Sequence, residues 1–323
     1  MKAIKILGII LLLIFLGVLA AGTYVKVALP KAEAAPELTI EPTQERLERG
    51  EYLANHVAVC MDCHSKRDWS LFSGPMDTEE MGAGGEIFNQ EMGFPGTFYA
   101  KNITPYALAS WTDGEIFRAI TTGVNKDGNA LFSLMAYHRF GKMDKEDIYS
   151  IIAYIRTLDP VKKDIPEPEI DFPVNILINT MPQPANFEQI PDKKDELNYG
   201  RYLINVAGCV DCHSKLDKGT IIEGTEFGGG MEFKQPAGTV RSPNITFHSK
   251  NGIGGWSKES FVQRFKMYTD SNYISPSLTP EDLNTPMPWI MYAGMTNEDL
   301  GAIYTYLKSI NPLDNNVVKF EKK

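Results

Sequence analysis

The chain has 323 residues, a formal net charge of −9 and four cysteines. That length suits two domains better than one, and apolar and charged fractions of 43% and 23% are those of a globular protein, not a disordered one. The acidic balance excludes the basic footprint that a nucleic-acid binder needs and favours partners with a basic face.

At the N-terminus, Lys2 and Lys5 precede an uncharged, mostly apolar stretch from Ile6 to Val25. It is long enough to cross a bilayer and longer than a usual signal-peptide core. Residues 1–30 are therefore expected to form a membrane anchor. The alternative is a cleaved signal ending at Ala32-Glu33-Ala34, but that small-x-small run lies far beyond the apolar core. Lys26 and Lys31 balance Lys2 and Lys5, so flanking charge gives no orientation.

Leu47, Tyr52, Leu53 and Val57 then fall on one face of a helix expected over 46–59. It runs into Cys60-Met61-Asp62-Cys63-His64, and the same pattern returns as Cys209-Val210-Asp211-Cys212-His213. All four cysteines lie in these two motifs. The surroundings repeat too. Gly50, Tyr52, Leu53 and Asn55 are echoed by Gly200, Tyr202, Leu203 and Asn205. Asn102-Ile103-Thr104 is echoed by Asn244-Ile245-Thr246, Trp111 by Trp256, and Met135-Ala136-Tyr137 by Met287-Pro288-Trp289. The offset is 149 positions at the first cysteines and 152 at the methionines, so the chain is a tandem duplication. Domains are expected near 41–160 and 192–315, joined by a proline-rich linker over 161–191 that cannot be a long helix. Its apolar piece Phe172–Ile178 is expected to pack on a domain surface. Each unit should end in an amphipathic helix, beginning at Asp144-Lys145-Glu146-Asp147 and Thr296-Asn297-Glu298-Asp299 with a capping side chain and an acid three positions on. The glycine-rich middles (Gly82, Gly84, Gly85; Gly228, Gly229, Gly230) are expected to be loop.

Cys-x-x-Cys-His is the pattern of covalent c-type haem attachment. Cysteines three apart on one helical turn reach the two vinyl groups, and the histidine that follows ligates the iron. Zinc knuckles need neither the histidine nor export, and their pairs lie closer together. A redox dithiol lacks its thioredoxin-type setting here. Two covalently bound haem c groups are therefore expected, held by Cys60, Cys63 and His64 and by Cys209, Cys212 and His213. The second axial ligands are expected to be Met135 and Met287, in the loops just ahead of the terminal helices. Met143 and Met295 begin those helices and should fill the core. His138 competes with Met135, yet its counterpart is Ile290. His56 and His248 are expected to be solvated or locally bonded. Haem attachment occurs outside the cytoplasm, which puts the haem domains in the periplasm or exterior and the anchor in the cytoplasmic (inner) membrane.

These motifs resemble class I cytochrome c domains, as found in the cytochrome c subunits of membrane-bound alcohol and gluconate dehydrogenases. The resemblance runs over both units and includes Asn102–Pro105, Ser110–Glu115, Gly123–Gly128, Gly252–Trp256 and Asn297–Leu300. It implies an all-α fold of two tandem cytochrome c domains after an N-terminal transmembrane helix, and places Trp111 and Trp256 near haem propionates. Those subunits commonly carry three haems, and this chain has two motifs. The expected role is an electron carrier, not an enzyme. It would pass electrons from a dehydrogenase or respiratory complex to a terminal oxidase or soluble cytochrome. A dihaem peroxidase is the alternative. It needs one haem with an open distal position and an acid/base group beside it, whereas here both units carry a methionine loop.

Overall fold

A computed structural model describes every residue except Met1, Ala32, Lys218 and Ser271. The alternative cleavage run therefore includes one residue, Ala32, that lies outside the described residues. Helix makes up 41% of the chain, and several small sheets accompany it. The all-α expectation is corrected accordingly. Ile87–Phe88 pairs antiparallel with Gly96–Tyr99. Glu232–Gln235 pairs with Gly238–Arg241, which also pairs with Phe320–Lys322. Phe88, Phe98, Tyr99, Phe233 and Val240 are aromatic or β-branched and fit a pleated, half-buried surface. Gly82, Gly84, Gly85 and Gly228, Gly229, Gly230 stay outside the strands, as expected.

The chain forms two compact units that interleave along the sequence. One comprises Met1–Thr39, Trp111–Lys142 and Glu169–Asn186, and the other Ile40–Ser110, Met143–Pro168 and Phe187–Lys323. In the first unit, Lys2–Ala28 is one helix of 27 residues with no buried side chain, and an 18-residue stretch within it has mean hydropathy 2.8. At about 1.5 Å per residue it exceeds the roughly 30 Å hydrocarbon core of a bilayer. The linker's apolar piece forms the short turns Val174–Leu177 and Ile178–Thr180, and the Asn179 amide donates to the Val25 carbonyl at 3.2 Å. Helix Asp113–Thr122 begins in a full capping box between Thr112 and Glu115 and buries Ile116, Phe117 and Ile120.

In the second unit the expected helix is present as Gln44–Tyr52, widening into a π-type turn at Leu53–Val57 that buries Leu53, Ala54 and Val57. It packs against Lys145–Ile155, and its repeat, Glu196–Ala207, packs against Asn297–Ser309. A glycine sits at each contact. A methyl at Gly50 would overlap the Ser150 carbonyl, and one at Gly200 the Ala302 carbonyl. These glycines let two backbones approach where any side chain would separate them.

Asp144 and Thr296 cap the terminal helices, accepting from the amides of Glu146 (2.8 Å) and Asp299 (3.1 Å). The acids three positions on are used differently from a capping box. Asp147 receives both Arg49 nitrogens at 2.8 Å and the Tyr202 hydroxyl at 2.6 Å. Asp299 receives the hydroxyls of Tyr52 at 2.6 Å and Tyr199 at 3.1 Å. The arrangement is reciprocal. Tyr52 of the first repeat binds the helix start of the second and accepts the Thr296 amide, while Tyr202 of the second binds that of the first and accepts the Asp144 amide. Burial, then the neighbouring carboxylate, raises the pKa of both tyrosines, which keeps them donors.

His56 is half-buried and bonds far from its own segment. Its Nδ1 donates to the Met291 carbonyl, 235 residues on, at 3.0 Å, and its ring lies against Gly294. His248 does bond locally, accepting the Asn251 amide at 3.1 Å.

Gly50→Ala and Gly200→Ala should each destabilise the protein by about 3 kcal/mol, measured by denaturant unfolding of the holoprotein. Burial holds the His56 pKa below its usual 6.5. The unfolded chain therefore takes up a proton first as pH falls through 6.5, and stability declines toward acid. Subtracting the stability–pH profile of His56→Asn from that of the wild type should isolate this decline, with the difference vanishing above neutral pH.

Candidate functional site

Each cysteine motif occupies a single helical turn, Cys60–Cys63 and Cys209–Cys212, entered through a left-handed residue, Val59 or Gly208. A turn brings side chains three apart to the same face, so each cysteine pair points one way. The histidine closes the turn, with His64 and His213 donating their amides to the Cys60 and Cys209 carbonyls at 2.9 Å.

Both imidazoles are held alike. His64 Nδ1 donates to the Lys101 carbonyl at 2.7 Å, and His213 Nδ1 to the Pro243 carbonyl at 2.8 Å. A carbonyl can only accept, so Nδ1 carries the proton and Nε2 is left with its lone pair, the tautomer a metal requires. Burial lowers the pKa of both rings, opposed by the carbonyl bond, which keeps them neutral.

The carbonyl is itself held in place. The Asn102 amide donates to the Val161 and Lys163 carbonyls at 2.9 and 3.1 Å, and its oxygen accepts the amide and hydroxyl of Thr104 at 2.9 and 2.7 Å. Asn244 does the same with Leu313, Asn315 and Thr246. The Asn-Ile-Thr echo, visible in the sequence without a role, is thus the bracket behind each histidine. From the other side, Gly84 and Gly229 donate to the His64 and His213 carbonyls at 2.7 and 2.8 Å. Both have φ near +70°, and a Cβ on Gly84 would lie 2.6 Å from the Lys101 carbonyl carbon. Only glycine lets the chain pass between the histidine and its acceptor.

Met143 and Met295 are 0% and 1% exposed, as expected of core residues. Met135 and Met287 are half-buried. Met135 ends the turn Ser133–Met135, and Ala136 after it is left-handed at φ 56°. Tyr137 lies on Gly123 and is buried, its hydroxyl without a hydrogen-bond partner among the described residues, and burial pushes it up to about 12. Met287 donates its amide to the Thr285 hydroxyl at 3.2 Å and leads into helix Trp289–Ala293. Trp289 there is covered by the Arg264 guanidinium at 4.0 Å and stacked on Tyr268. Trp111 is half-buried and Trp256 is 38% exposed, so neither is a plain core tryptophan.

This donor set suits a covalently bound haem. Paired thiols and a neutral imidazole with its Nδ1 proton already committed match c-type attachment. The two sites have the chemistry of c-type cytochromes.

No family model matches the chain. Among known proteins, it is 29% identical over 305 residues to the fructose dehydrogenase cytochrome subunit of Gluconobacter japonicus, covering 90% of this chain and 57% of that protein. It is 26% identical over 282 residues to the cytochrome c subunit of the quinone alcohol dehydrogenase of Komagataeibacter europaeus, covering 83% of this chain and 56% of that one. It is also 23% identical over 268 residues to a dihaem cytochrome c of Cereibacter sphaeroides, covering 79% and 83%. The chain thus spans little more than half the length of the first two. Its homologues are cytochrome c subunits of dehydrogenases and a dihaem cytochrome c, not catalytic subunits. Relatives of this kind imply covalently bound haem c.

Asn102→Ala or Asn244→Ala, by stranding a buried carbonyl pair and a threonine, should cost about 2–4 kcal/mol. Unfolding of each holoprotein variant measures it, and Asn→Asp, which keeps only the acceptor side, should fall between.

Proposed function

We propose that this chain is a membrane-anchored dihaem c-type cytochrome that carries electrons outside the cytoplasm, from a dehydrogenase or respiratory complex to a terminal oxidase or soluble cytochrome. The duplicated histidine bracket carries the reading, because the same carbonyl, asparagine and glycine support each Cys-x-x-Cys-His motif. Haem bound there supplies a one-electron iron couple. The residues that would hold it are Cys60, Cys63 and His64 in domain 41–160, and Cys209, Cys212 and His213 in domain 192–315. Met135 and Met287 would supply a thioether to each iron, and thioether ligation favours a high potential. With both positions filled by protein, small molecules are excluded, which separates a carrier from a peroxidase. The bracket fixes each imidazole before and after electron transfer, so little reorganises.

Helix Lys2–Ala28 would anchor the chain in the cytoplasmic membrane with both haem domains in the periplasm. The relatives are subunits of dehydrogenases, which supports a dehydrogenase as the electron donor.

The oxidised protein should show two low-spin haems and a methionine–iron band at the red end of the visible spectrum. Met135→Ala and Met287→Ala should each remove about half of that band and open one haem to imidazole. A high-spin signal in the wild type, or peroxide turnover, would overturn the carrier reading.

A further inference from the structure

The two repeats differ between the histidine and its glycine. The segment His64–Gly84 is four residues longer than His213–Gly229, and it makes a loop over residues 67–77 where the second repeat has the short hairpin of Leu216–Asp217 and Thr220–Ile221. That loop reaches the Met287 segment. Its backbone pairs with residues 276–278, Phe72 donating to the Pro276 carbonyl and Leu278 to the Ser70 carbonyl, both at 2.8 Å. Asn284 is buried at the junction. Its amide donates to the Trp69 and Leu71 carbonyls at 3.2 and 2.9 Å, and its oxygen accepts the Ser73 amide at 2.9 Å. Ser73 completes the contact at Met287 itself. Its hydroxyl donates to the Met287 carbonyl at 2.7 Å and accepts the Trp289 amide at 3.2 Å.

Ser73 is 2% exposed and sits at φ 65°, a left-handed conformation costly for a residue with a Cβ. It is held there from the first haem motif. Arg67 donates to the Ser73 carbonyl at 2.7 Å and the Gly74 carbonyl at 2.8 Å, and pairs with Asp62 at 2.9 Å. Asp62 lies between Cys60 and Cys63. In the second repeat the position of Arg67 is taken by Leu216, which has no guanidinium to donate.

We propose that loop 67–77 is a clamp through which the first repeat positions the Met287 segment of the second, with Ser73 as the positioning residue, Asn284 as the joint and Arg67 as the anchor to the first motif. The proposal rests on Met287 being an axial ligand. Bonds to the Met287 carbonyl and to the amide two residues later, with Asn284 held on the N-terminal side, fix the segment that must stay in place for its sulfur to remain on the iron. The first repeat thereby sets how tightly the second haem is closed.

The test uses the full-length holoprotein in detergent and titrates imidazole against the oxidised form, following the methionine–iron band. Met287→Ala identifies the signal of the second haem. Ser73→Gly removes the hydroxyl while suiting the left-handed backbone. It should raise imidazole affinity at that haem roughly five- to tenfold, the effect of losing about one net hydrogen bond, and leave the other haem unchanged. Arg67→Gln should act in the same direction at the same haem, although it lies next to the first motif. If Ser73→Gly leaves imidazole affinity unaltered while Met287→Ala opens the haem, the clamp is overturned and the ligand reading stands. An effect of Ser73→Ala without one of Ser73→Gly would trace to backbone strain and also overturn it. If Met287→Ala leaves both haems closed, the ligand reading fails, and the clamp with it.

Discussion

The hydrogen bond from a histidine Nδ1 to a main-chain carbonyl is the interaction around which the rest of this protein is arranged. It selects the tautomer that leaves Nε2 available, and it fixes the plane of the ring. A carbonyl serves only if it cannot move. Asn102 and Asn244 therefore tie the acceptor strand to the chain beyond the terminal helix, using all of their amide capacity. Gly84 and Gly229 let the returning chain lie close enough to bind the histidine's own carbonyl. Neutral, buried rings follow, because burial disfavours the imidazolium and the carbonyl bond offsets only part of that.

The helices that frame these brackets are joined through their N-terminal acids. Asp147 and Asp299 lie in the first turn, where the helix dipole already favours negative charge. Both are buried and surrounded by donors, which is the condition for a buried carboxylate to be tolerated. In the first repeat the donors are Arg49 and Tyr202, and in the second they are Tyr199 and Tyr52. Tyr52 and Tyr202 each cross to the other repeat, so duplication produced reciprocal contacts. His56 adds a third crossing, to Met291.

Symmetry ends at loop 67–77. Duplicated chains keep the same bracket where the same chemistry is needed, and diverge where one copy can act on the other. Arg67 stacks on Trp69 at 4.1 Å while binding Asp62 and the loop carbonyls, so this loop is ordered by a single guanidinium whose donors are shared among several acceptors.

Much was legible in the sequence because it depends on local spacing. The Cys-x-x-Cys-His turns, the duplicated order, the apolar helix near the N-terminus, the capped starts at Asp144 and Thr296 and the core placement of Met143 and Met295 all follow from residues a few positions apart. The fold class was only partly legible, since the short strand pairs depend on partners that a periodicity cannot name. What Asn102, Asn244, Asp147 and Asp299 do was decided by tertiary structure alone, as was the engagement of His56 and Ser73. Each of these side chains is satisfied by a backbone or side-chain atom far away in sequence. A buried polar group must find a partner, but the sequence shows only that it has the need, and packing chooses which atom meets it.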